Sequence, residues 1–324
     1  MNESLGNLEP SASTLSGDSP GHTARRLLLA TRPKFFTASL LPVVIGTGWG
    51  ANATGAVDLT AFALAVAATV CVHAGANVLN DVWDDIGGSD RNNDGRMYPY
   101  TGGSRFIQNG VMNRAEMKRW GQQLLGAGVA FGIALTVLSG AGVVLFGLIG
   151  IGLAVLYSMP PVQLNARGLG EATVAIAFGV LPLTGAAWLQ GAAVDPSLLV
   201  LALPPSLWTA AILLINEVPD VAADASAGKR TLAVRLGDGA TARVYLGLHA
   251  GAAIAMLAVT LIDGLSVWMV IPPLALLIPA VSAARSIAGT RTDRAALRRG
   301  IEMTLAIHLL GGLWLGGLVW LEVL

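Results

Sequence analysis

Long runs of apolar residues constrain the possible folds of this chain more than any other sequence feature. Neither residues 59–72 nor residues 198–215 include a charged side chain. A helix needs about 20 apolar residues to cross the roughly 30 Å of hydrocarbon in a bilayer. Charged residues make up only 12% of the chain, whereas soluble domains carry about 25%. The sequence therefore predicts an all-α integral membrane protein.

Nine stretches of this kind can be placed along the chain, which predicts nine transmembrane helices. Several are shorter than a full span, so their boundaries are soft, and Ser139-Gly140 divides a stretch too long for one span into two. Residues 1–22 are rich in Ser, Gly, Pro, Asn and Glu and predict a disordered tail, which leaves 23–324 as a single transmembrane domain. The predicted spans are residues 35–50, 59–79, 124–138, 141–157, 170–189, 198–215, 244–262, 267–284 and 303–324.

Positive charge is confined to one side of this predicted arrangement. All 20 Lys and Arg residues precede the first span or lie in the connections after spans two, four, six and eight. Because positive side chains mark the cytoplasmic face, we expect a cytoplasmic N-terminus, an external C-terminus and a multi-pass protein of the cell (plasma) membrane. The formal net charge of zero indicates no nucleic-acid partner, and the sequence does not indicate an oligomeric state.

The second predicted span ends in a cluster of carboxylates. Asp81, Asp84 and Asp85 lie within five residues, and positions i, i+3 and i+4 share one face of a helix. Asn77 lies one turn before Asp81. Carboxylates this close repel one another unless a cation neutralises them, and oxygen ligands favour Mg²⁺ or Ca²⁺ over zinc. The cluster therefore indicates a metal site, although one such cluster alone is also typical of a solvated helix end.

A second cluster with the same pattern follows the sixth predicted span. Asn216 and Glu217 come directly after the apolar run, and Asp220 and Asp224 are spaced i, i+4. The distribution of Lys and Arg puts both clusters on the cytoplasmic side. Two matching clusters on one side indicate a pair of metal sites that face each other. This interpretation is favoured over the alternative that both clusters are solvated helix ends.

A glycine-containing loop with basic residues follows each acidic cluster. The first reads Gly102-Gly103-Ser104-Arg105 and the second Gly228-Lys229-Arg230. Such loops offer backbone N–H groups and positive charge to a phosphate, while carboxylates hold Mg²⁺ that bridges to phosphate oxygens. Together these parts predict a diphosphate bound at the membrane surface, with its lipid tail in an apolar cavity. The favoured chemistry is departure of diphosphate from an allylic carbon and capture of the resulting cation by an acceptor.

The acidic motifs resemble those of the UbiA superfamily of membrane prenyltransferases. That family carries an NDxxDxxxD motif and a DxxxD motif, and the matching positions here are Asn80, Asp81, Asp84, Asp220 and Asp224. The ninth position of the first motif is Gly88, for which Asp85 and Asp90 are nearby substitutes. The segments 32–34, 80–90 and 228–237 look most like the menaquinone branch, the 1,4-dihydroxy-2-naphthoate polyprenyltransferases.

The resemblance implies nine helices around a central cavity, dependence on Mg²⁺, and transfer of a prenyl group from polyprenyl diphosphate to an aromatic acceptor. It also implies a role for each matching residue. The catalytic aspartates would be Asp81, Asp84, Asp220 and Asp224, and the metal ligands would be these four with Asp85. The amides expected to add oxygens or to orient the aspartates are Asn77, Asn80 and Asn216. The cations expected at the diphosphate are Arg32, Lys34, Arg105, Lys229 and Arg230. Tyr157 would stabilise a carbocation with its ring face.

Two alternatives remain open from the sequence. Carboxylates within membrane segments often mark the ion pathway of a transporter, although these lie at span ends rather than at mid-span. A UbiA-type enzyme could also use another acceptor: 4-hydroxybenzoate, homogentisate or a glycerol phosphate lipid. The acceptor and the prenyl chain length both depend on the shape of the cavity, which the sequence does not specify.

Overall fold

A computed structural model describes residues 9–15, 17, 19–262, 267–289 and 293–321 of the chain. Helices dominate these residues, and no β-strand occurs among them, so the all-α prediction is confirmed. The helices are α1 Ala12–Leu15, α2 Pro20–Ala30, α3 Thr37–Thr54, α4 Leu59–Gly87, α5 Arg114–Ser139, α6 Gly142–Ser158, α7 Gly170–Ala175, α8 Leu181–Leu189, α9 Pro196–Leu201, α10 Leu203–Glu217, α11 Val221–Ser226, α12 Leu232–Leu236, α13 Asp238–Ile262, α14 Ile271–Ala275, α15 Leu277–Ala288 and α16 Arg294–Trp320.

Seven helical stretches in the described residues are long and apolar enough to cross a membrane. An eighth is formed by α2 together with Pro33–Thr54, which are bent by 48° relative to each other. The bend falls just before Pro33, a residue that disfavours helical backbone at its predecessor. With the shorter apolar helix α6, each predicted span overlaps a helical stretch of the described residues, and residues 322–324 of the last span lie outside them. The membrane-type helical fold is confirmed, whereas nine crossings and the orientation of the termini stay predictions.

Helix boundaries near the first acidic cluster differ from those that the sequence predicts. The second span was expected to end at Leu79, but α4 continues for about two further turns and ends where Gly88 adopts a φ of 87°. The acidic residues therefore lie on the last turns of a helix, which fixes their directions. The predicted division after Ser139 is confirmed, because Gly140 adopts a φ of 95° and ends α5.

Glycines allow α4 and α5 to pack closely. A Cβ atom at Gly121 would lie 2.7 Å from Leu79 Cγ, and one at Gly128 would lie 2.7 Å from Val72 Cγ2. Small residues at helix contacts let the backbones approach each other where lipid provides no hydrophobic driving force. These contacts hold α4, whose last turns carry the aspartates, in a fixed position beside α5.

The N-terminal segment differs from the disordered tail expected for residues 1–22. Glu9 accepts hydrogen bonds from Arg96 Nε at 2.7 Å and Nη2 at 3.2 Å, and Asn109 Nδ2 donates to the Pro10 carbonyl at 2.7 Å. Leu15 is buried in a cluster with Phe106 and other side chains. Composition alone disfavours a core within this segment, but it docks on the connection after α4. Residues 1–8, 16 and 18 lie outside the described residues, and disorder stays a prediction for them.

Candidate active site

A large cavity lies among α3, α4, α5, α6, α8 and α10. Its volume is about 540 Å³. Along α4 its wall runs from Ala65 to Asp84, 19 residues apart, which corresponds to roughly 28 Å of helix. Apolar side chains such as Leu135, Val143 and Trp188 line one end, and carboxylates line the other. A long apolar space with charge at one end fits a lipid that has a polar head group.

The two acidic clusters meet at one end of this cavity. We call this the acidic end and define it by Asp81, Asp84, Asp90, Asp220 and Asp224. Lys229 Nζ lies 2.6 Å from Asp84 Oδ1 and 3.5 Å from Asp224 Oδ1, so one ammonium group contacts both motifs. The facing arrangement that the sequence predicts is therefore present in the structure.

Two asparagines of α4 tie the acidic end to neighbouring segments. Asn80 Nδ2 donates to Asp84 Oδ2 at 3.1 Å and to Ser158 Oγ at 3.0 Å. Asn77 Nδ2 donates to the Thr31 carbonyl at 3.0 Å. Both asparagines line the cavity. Their amide groups orient Asp84 and anchor the bend between α2 and α3.

Asp81 lies just behind the cavity wall, beneath Gly103. Its Oδ2 accepts a hydrogen bond from Ser104 N at 3.0 Å, whereas its Oδ1 is buried without a hydrogen-bond partner and lies 4.0 Å from Arg32 Nη1. A Cβ atom at Gly103 would lie 2.9 Å from this Oδ1 and 2.5 Å from Asp90 Oδ2. The glycine therefore leaves space beside an orphaned carboxylate oxygen, as a cation site requires.

Asp85 is not at the acidic end, which corrects its assignment as a metal ligand. Its carboxylate accepts from Arg91 Nε at 2.8 Å and from Arg114 Nη2 at 2.6 Å. Successive residues of a helix are rotated by about 100°, so Asp84 faces the cavity while Asp85 faces α5. Asp90 lines the cavity instead. Burial and the nearby Asp84 raise the pKa of Asp90 well above its usual value.

The second cluster is held by the loop that follows α4. Asp220 accepts hydrogen bonds from Asn93 Nδ2 at 2.7 Å and from Gly102 N at 3.2 Å. Burial raises the pKa of Asp220 in spite of these bonds. Burial likewise raises the pKa of Asp224 to about 7, although Lys229 opposes the shift. Both aspartates and Asn216 line the cavity. Because the loop donates to Asp220, it sets the distance between the clusters.

Arg32 and Lys229 are the predicted cations that the structure places in the cavity wall. Burial opposes the charge on Lys229, but Asp84 and Asp224 outweigh it and raise the pKa of the ammonium group. Arg32 has a left-handed φ of 58° at the bend before α3, which turns its side chain toward Asp81.

Three other predicted cations lie outside the cavity wall of the described residues, so their contact with a diphosphate stays a prediction. Arg105 is the last residue of the first glycine loop, its side chain is buried, and its Nη1 donates to the Asp90 carbonyl, so it ties this loop to the segment after α4. Arg230 is exposed, and its backbone N–H donates to the Ala166 carbonyl. Lys34 is exposed and lies over the Tyr100 ring, 4.8 Å from its centroid. A basic residue in a loop has no periodicity that predicts its direction.

Tyr157 lines the cavity as predicted, and further polar residues accompany it. Glu217 and Asn165 also line the cavity, and Glu171 is buried. The position of Glu217 between Asn216 and Asp220 was the one sequence feature that could have predicted its place in the cavity wall. Asn93 was not predicted, because its contact with Asp220 spans two distant loops.

The chemistry of the acidic end fits divalent cations. Its five carboxylates carry an excess of three negative charges over the cations of Arg32 and Lys229 when all five are ionised. Within the described ranges, no three His, Cys, Asp or Glu side chains converge closely enough to hold a metal ion as they stand. Lys229 lies between Asp84 and Asp224, in the space such an ion would take. Excess charge, an orphaned oxygen and all-oxygen donors favour Mg²⁺.

An acidic head-group site that opens onto a long apolar cavity defines a membrane protein that acts on a lipid with a charged head. The chain belongs to the UbiA prenyltransferase family, whose pattern matches residues 39–310. It is a prenyltransferase that transfers a polyprenyl group, and this confirms the predicted family and enzyme class. Membership of this family argues against the transporter alternative.

Known proteins of this family resemble the chain in sequence and in fold. The 1,4-dihydroxy-2-naphthoate octaprenyltransferase of Mycobacterium tuberculosis is 33% identical over 223 residues, which cover 69% of this chain and 74% of that protein. The apo structure of a UbiA homologue from Aeropyrum pernix K1 has a TM-score of 0.65 and 19% identity, covering 88% of this chain and 98% of that one. A UbiA homologue from Archaeoglobus fulgidus bound to GPP and Mg²⁺ has a TM-score of 0.60 and 17% identity, covering 90% and 99%.

Proposed function

We propose that this protein transfers the prenyl group of a polyprenyl diphosphate to 1,4-dihydroxy-2-naphthoate, a step of menaquinone biosynthesis, in an Mg²⁺-dependent reaction. The observation that carries the proposal is the meeting of two acidic motifs at one end of an apolar cavity. The names of the sequence relatives supply the acceptor. The A. fulgidus homologue, bound to GPP and Mg²⁺, supports both the metal and the diphosphate donor.

The acidic end would hold the diphosphate. Asp81, Asp84 and Asp90 would ligate one Mg²⁺, and Asp220 and Asp224 another. The bound metal would neutralise the charge that develops on the departing diphosphate. Asn80 orients Asp84, and the Lys229 ammonium is close enough to both motifs to reach a phosphate held between them. Arg32 adds a second cation at the α2–α3 bend.

The apolar part of the cavity would hold the prenyl chain. The whole cavity runs roughly 28 Å along α4, so its apolar part is long enough for several isoprene units. Apolar walls exclude water, which protects an allylic cation from hydrolysis. Tyr157 lines the cavity, and its ring face would stabilise that cation.

The cellular setting of this reaction also belongs to the proposal. We propose nine membrane crossings, a cytoplasmic N-terminus and location in the cell membrane. The acidic end then faces the cytoplasm, where a water-soluble aromatic acceptor would arrive. Residues 23–324 form a single transmembrane domain in this arrangement.

Purified protein in detergent or vesicles tests the proposal. It should be incubated with polyprenyl diphosphates of several lengths and with 1,4-dihydroxy-2-naphthoate, 4-hydroxybenzoate or homogentisate, and the products should be identified by mass. We expect prenylated naphthoate product with Mg²⁺ and none with EDTA. Asp84→Asn should abolish the product. Asp195→Asn is the matched control, because asparagine keeps the N-cap that Asp195 provides to α9. Product from 4-hydroxybenzoate alone would contradict the proposed acceptor.

A further inference from the structure

A second cleft lies between α2 and α5, apart from the cavity of the acidic end. Its volume is about 470 Å³, and among the described residues the two spaces share no lining side chain. The apolar part of its lining belongs to the packed cluster around Phe106 and consists of Leu27, Val111, Met112 and Trp120. Trp120 Nε1 donates to the Leu27 carbonyl at 3.1 Å, which joins the two helices at the cleft. The cleft is therefore a fixed part of the fold.

Two arginines without a partner line this cleft. Arg26 comes from α2 and Arg119 from α5, and neither guanidinium group forms an ion pair or a hydrogen bond with another residue that the structure describes. Glu116 also lines the cleft, but its Oε2 accepts from Asn113 N at 2.7 Å in the capping box of α5. Two cations and one carboxylate leave an excess of one positive charge. A phosphodiester carries one negative charge, and guanidinium groups bind phosphate oxygens through paired N–H donors.

The face of α5 that carries these polar groups continues as an exposed apolar stripe. Arg119 and Gln123 are exposed and one helical turn apart. Residues spaced i, i+3 and i+4 share a helix face, and this face continues through Gly126, Ala130, Ile133 and Val137. All four are exposed and none is charged, and Val137 is 81% exposed. On α2, Leu28 is also exposed beside Arg26.

This arrangement matches a phospholipid rather than a free anion. The cations lie at one end of the α5 face, and the rest of that face offers only apolar side chains and glycine to its surroundings. A free phosphate uses the cations alone, whereas a phospholipid also covers the stripe with an acyl chain. Basic pockets beside membrane helices bind anionic head groups in this way, because the phosphate and the chain are recognised together.

We propose that the cleft between α2 and α5 binds one anionic phospholipid. Its phosphate contacts Arg26 and Arg119, a head-group hydroxyl donates to the Gln123 side chain, and an acyl chain lies along the α5 stripe. The lipid bridges two helices that share the hydrogen bond from Trp120, so it protects α2 from local opening. This site is independent of the acidic end and of the prenyl-transfer reaction.

Lipid titration of the purified protein in a neutral detergent tests this proposal. Native mass spectrometry should count one molecule of phosphatidylglycerol that binds at least tenfold more tightly than phosphatidylcholine or phosphatidylethanolamine. The double variant Arg26→Gln/Arg119→Gln should weaken phosphatidylglycerol binding about 25-fold, from about fivefold for each cation at a lipid phosphate. Hydrogen exchange of residues 20–30 should slow with phosphatidylglycerol in the unmodified protein and stay unchanged in the double variant.

The matched control removes two charges from the same helices outside the cleft. Arg25 on α2 and Lys118 on α5 are exposed and do not line it. Arg25→Gln/Lys118→Gln should therefore keep the affinity for phosphatidylglycerol within about twofold of that of the unmodified protein. Equal losses in the two double variants would show that diffuse surface charge, and not the cleft, attracts the lipid.

Further outcomes would also overturn the proposal. Equal affinity for phosphatidylglycerol and phosphatidylcholine would show that the cleft does not select an anionic head group. Release of bound phosphatidylglycerol by inorganic phosphate would assign the cleft to a free anion, and release by an equimolar prenyl diphosphate would assign it to the donor lipid. If the double variant does not fold, Arg119→Gln alone must weaken binding about fivefold, and unchanged affinity there overturns the proposal.

Discussion

Lys229 Nζ lies 2.6 Å from Asp84 Oδ1, so a cation from the loop after the second motif is held by a carboxylate of the first. The same ammonium group is 3.5 Å from Asp224. It therefore balances charge between the motifs in the space where a divalent ion would bind. An ion bound there would leave the ammonium group free to contact the phosphates of a substrate.

Removal of this cation should destabilise the protein most when metal is absent. Lys229→Met leaves buried carboxylates without a partner, and breaking a buried ion pair in this way reduces the free energy of unfolding by about 3–5 kcal/mol. Melting temperatures in EDTA and in Mg²⁺ measure the effect. We expect a smaller loss with Mg²⁺, because the ion neutralises the same carboxylates. Lys229→Arg is the control that keeps the charge. If Lys229→Met lost the same melting temperature with and without Mg²⁺, the ammonium group and the ion would not share one position.

Asp90, rather than Asp85, should determine the metal requirement. Asp90→Asn removes a carboxylate from the cavity wall, and we expect activity to fall at least tenfold and to need more Mg²⁺. Asp85→Asn should keep the Mg²⁺ dependence and lower the melting temperature, because Arg91 and Arg114 lose their partner. A Mg²⁺ titration of activity for both variants decides between them. The reverse pattern would show that Asp85 is the ligand.

Gly103 should tolerate no side chain, and Gly110 provides the comparison. Both have left-handed φ values, 73° and 67°, so alanine is strained at either position. A Cβ at Gly103 would approach Asp81 and Asp90, whereas nothing lies within 4 Å of one at Gly110. We expect Gly103→Ala to lower kcat/KM at least tenfold more than Gly110→Ala, with similar losses in melting temperature. Equal kcat/KM values would show that the space beside these carboxylates is not used.

Docking of the N-terminal segment should depend on pH through Glu9. Burial alone would raise the pKa of Glu9, but hydrogen bonds from Arg96 and Asn109 outweigh it and lower the pKa. A carboxyl group with a lowered folded-state pKa stabilises the fold above its unfolded pKa, and this contribution is lost as the pH falls through the folded value. The protection factors of residues 9–15, which compare the observed exchange with the intrinsic rate at the same pH, should therefore be higher at pH 7 than at pH 4. In Glu9→Gln the protection factors should be low at both pH values, and a persistent pH difference in protection there would assign the effect to another group.

The sequence predicted the helices and the pairing of the motifs because both follow periodic rules. Apolar runs of span length define α4 and α10, and the i, i+4 spacing puts Asp220 and Asp224 on one side. The same rule put Asp81, Asp84 and Asp85 together. It was wrong for Asp85. Successive residues of a helix point in different directions, so Asp84 faces the cavity while Asp85 faces α5.

Loop residues were predicted less well for a physical reason. Arg105, Arg230 and Lys34 were assigned by charge and proximity to glycine, yet the direction of each side chain depends on tertiary contacts. Arg105 supports a loop carbonyl, and Lys34 lies over aromatic rings. Asn93 acts through a contact with a segment distant in sequence, which no local pattern encodes.

The close approach of two acidic motifs, one from each half of the chain, has a mechanical consequence. Without ligand, the carboxylates of the two halves repel each other, and Lys229 together with the hydrogen bonds that Asn93 and Gly102 donate to Asp220 opposes this repulsion. A substrate head group with its ions would link the two halves. The enzyme with bound substrate would then be more rigid than the enzyme without it. Ligand-induced protection against heat or proteolysis should then extend to helices of both halves, including those that never touch the lipid.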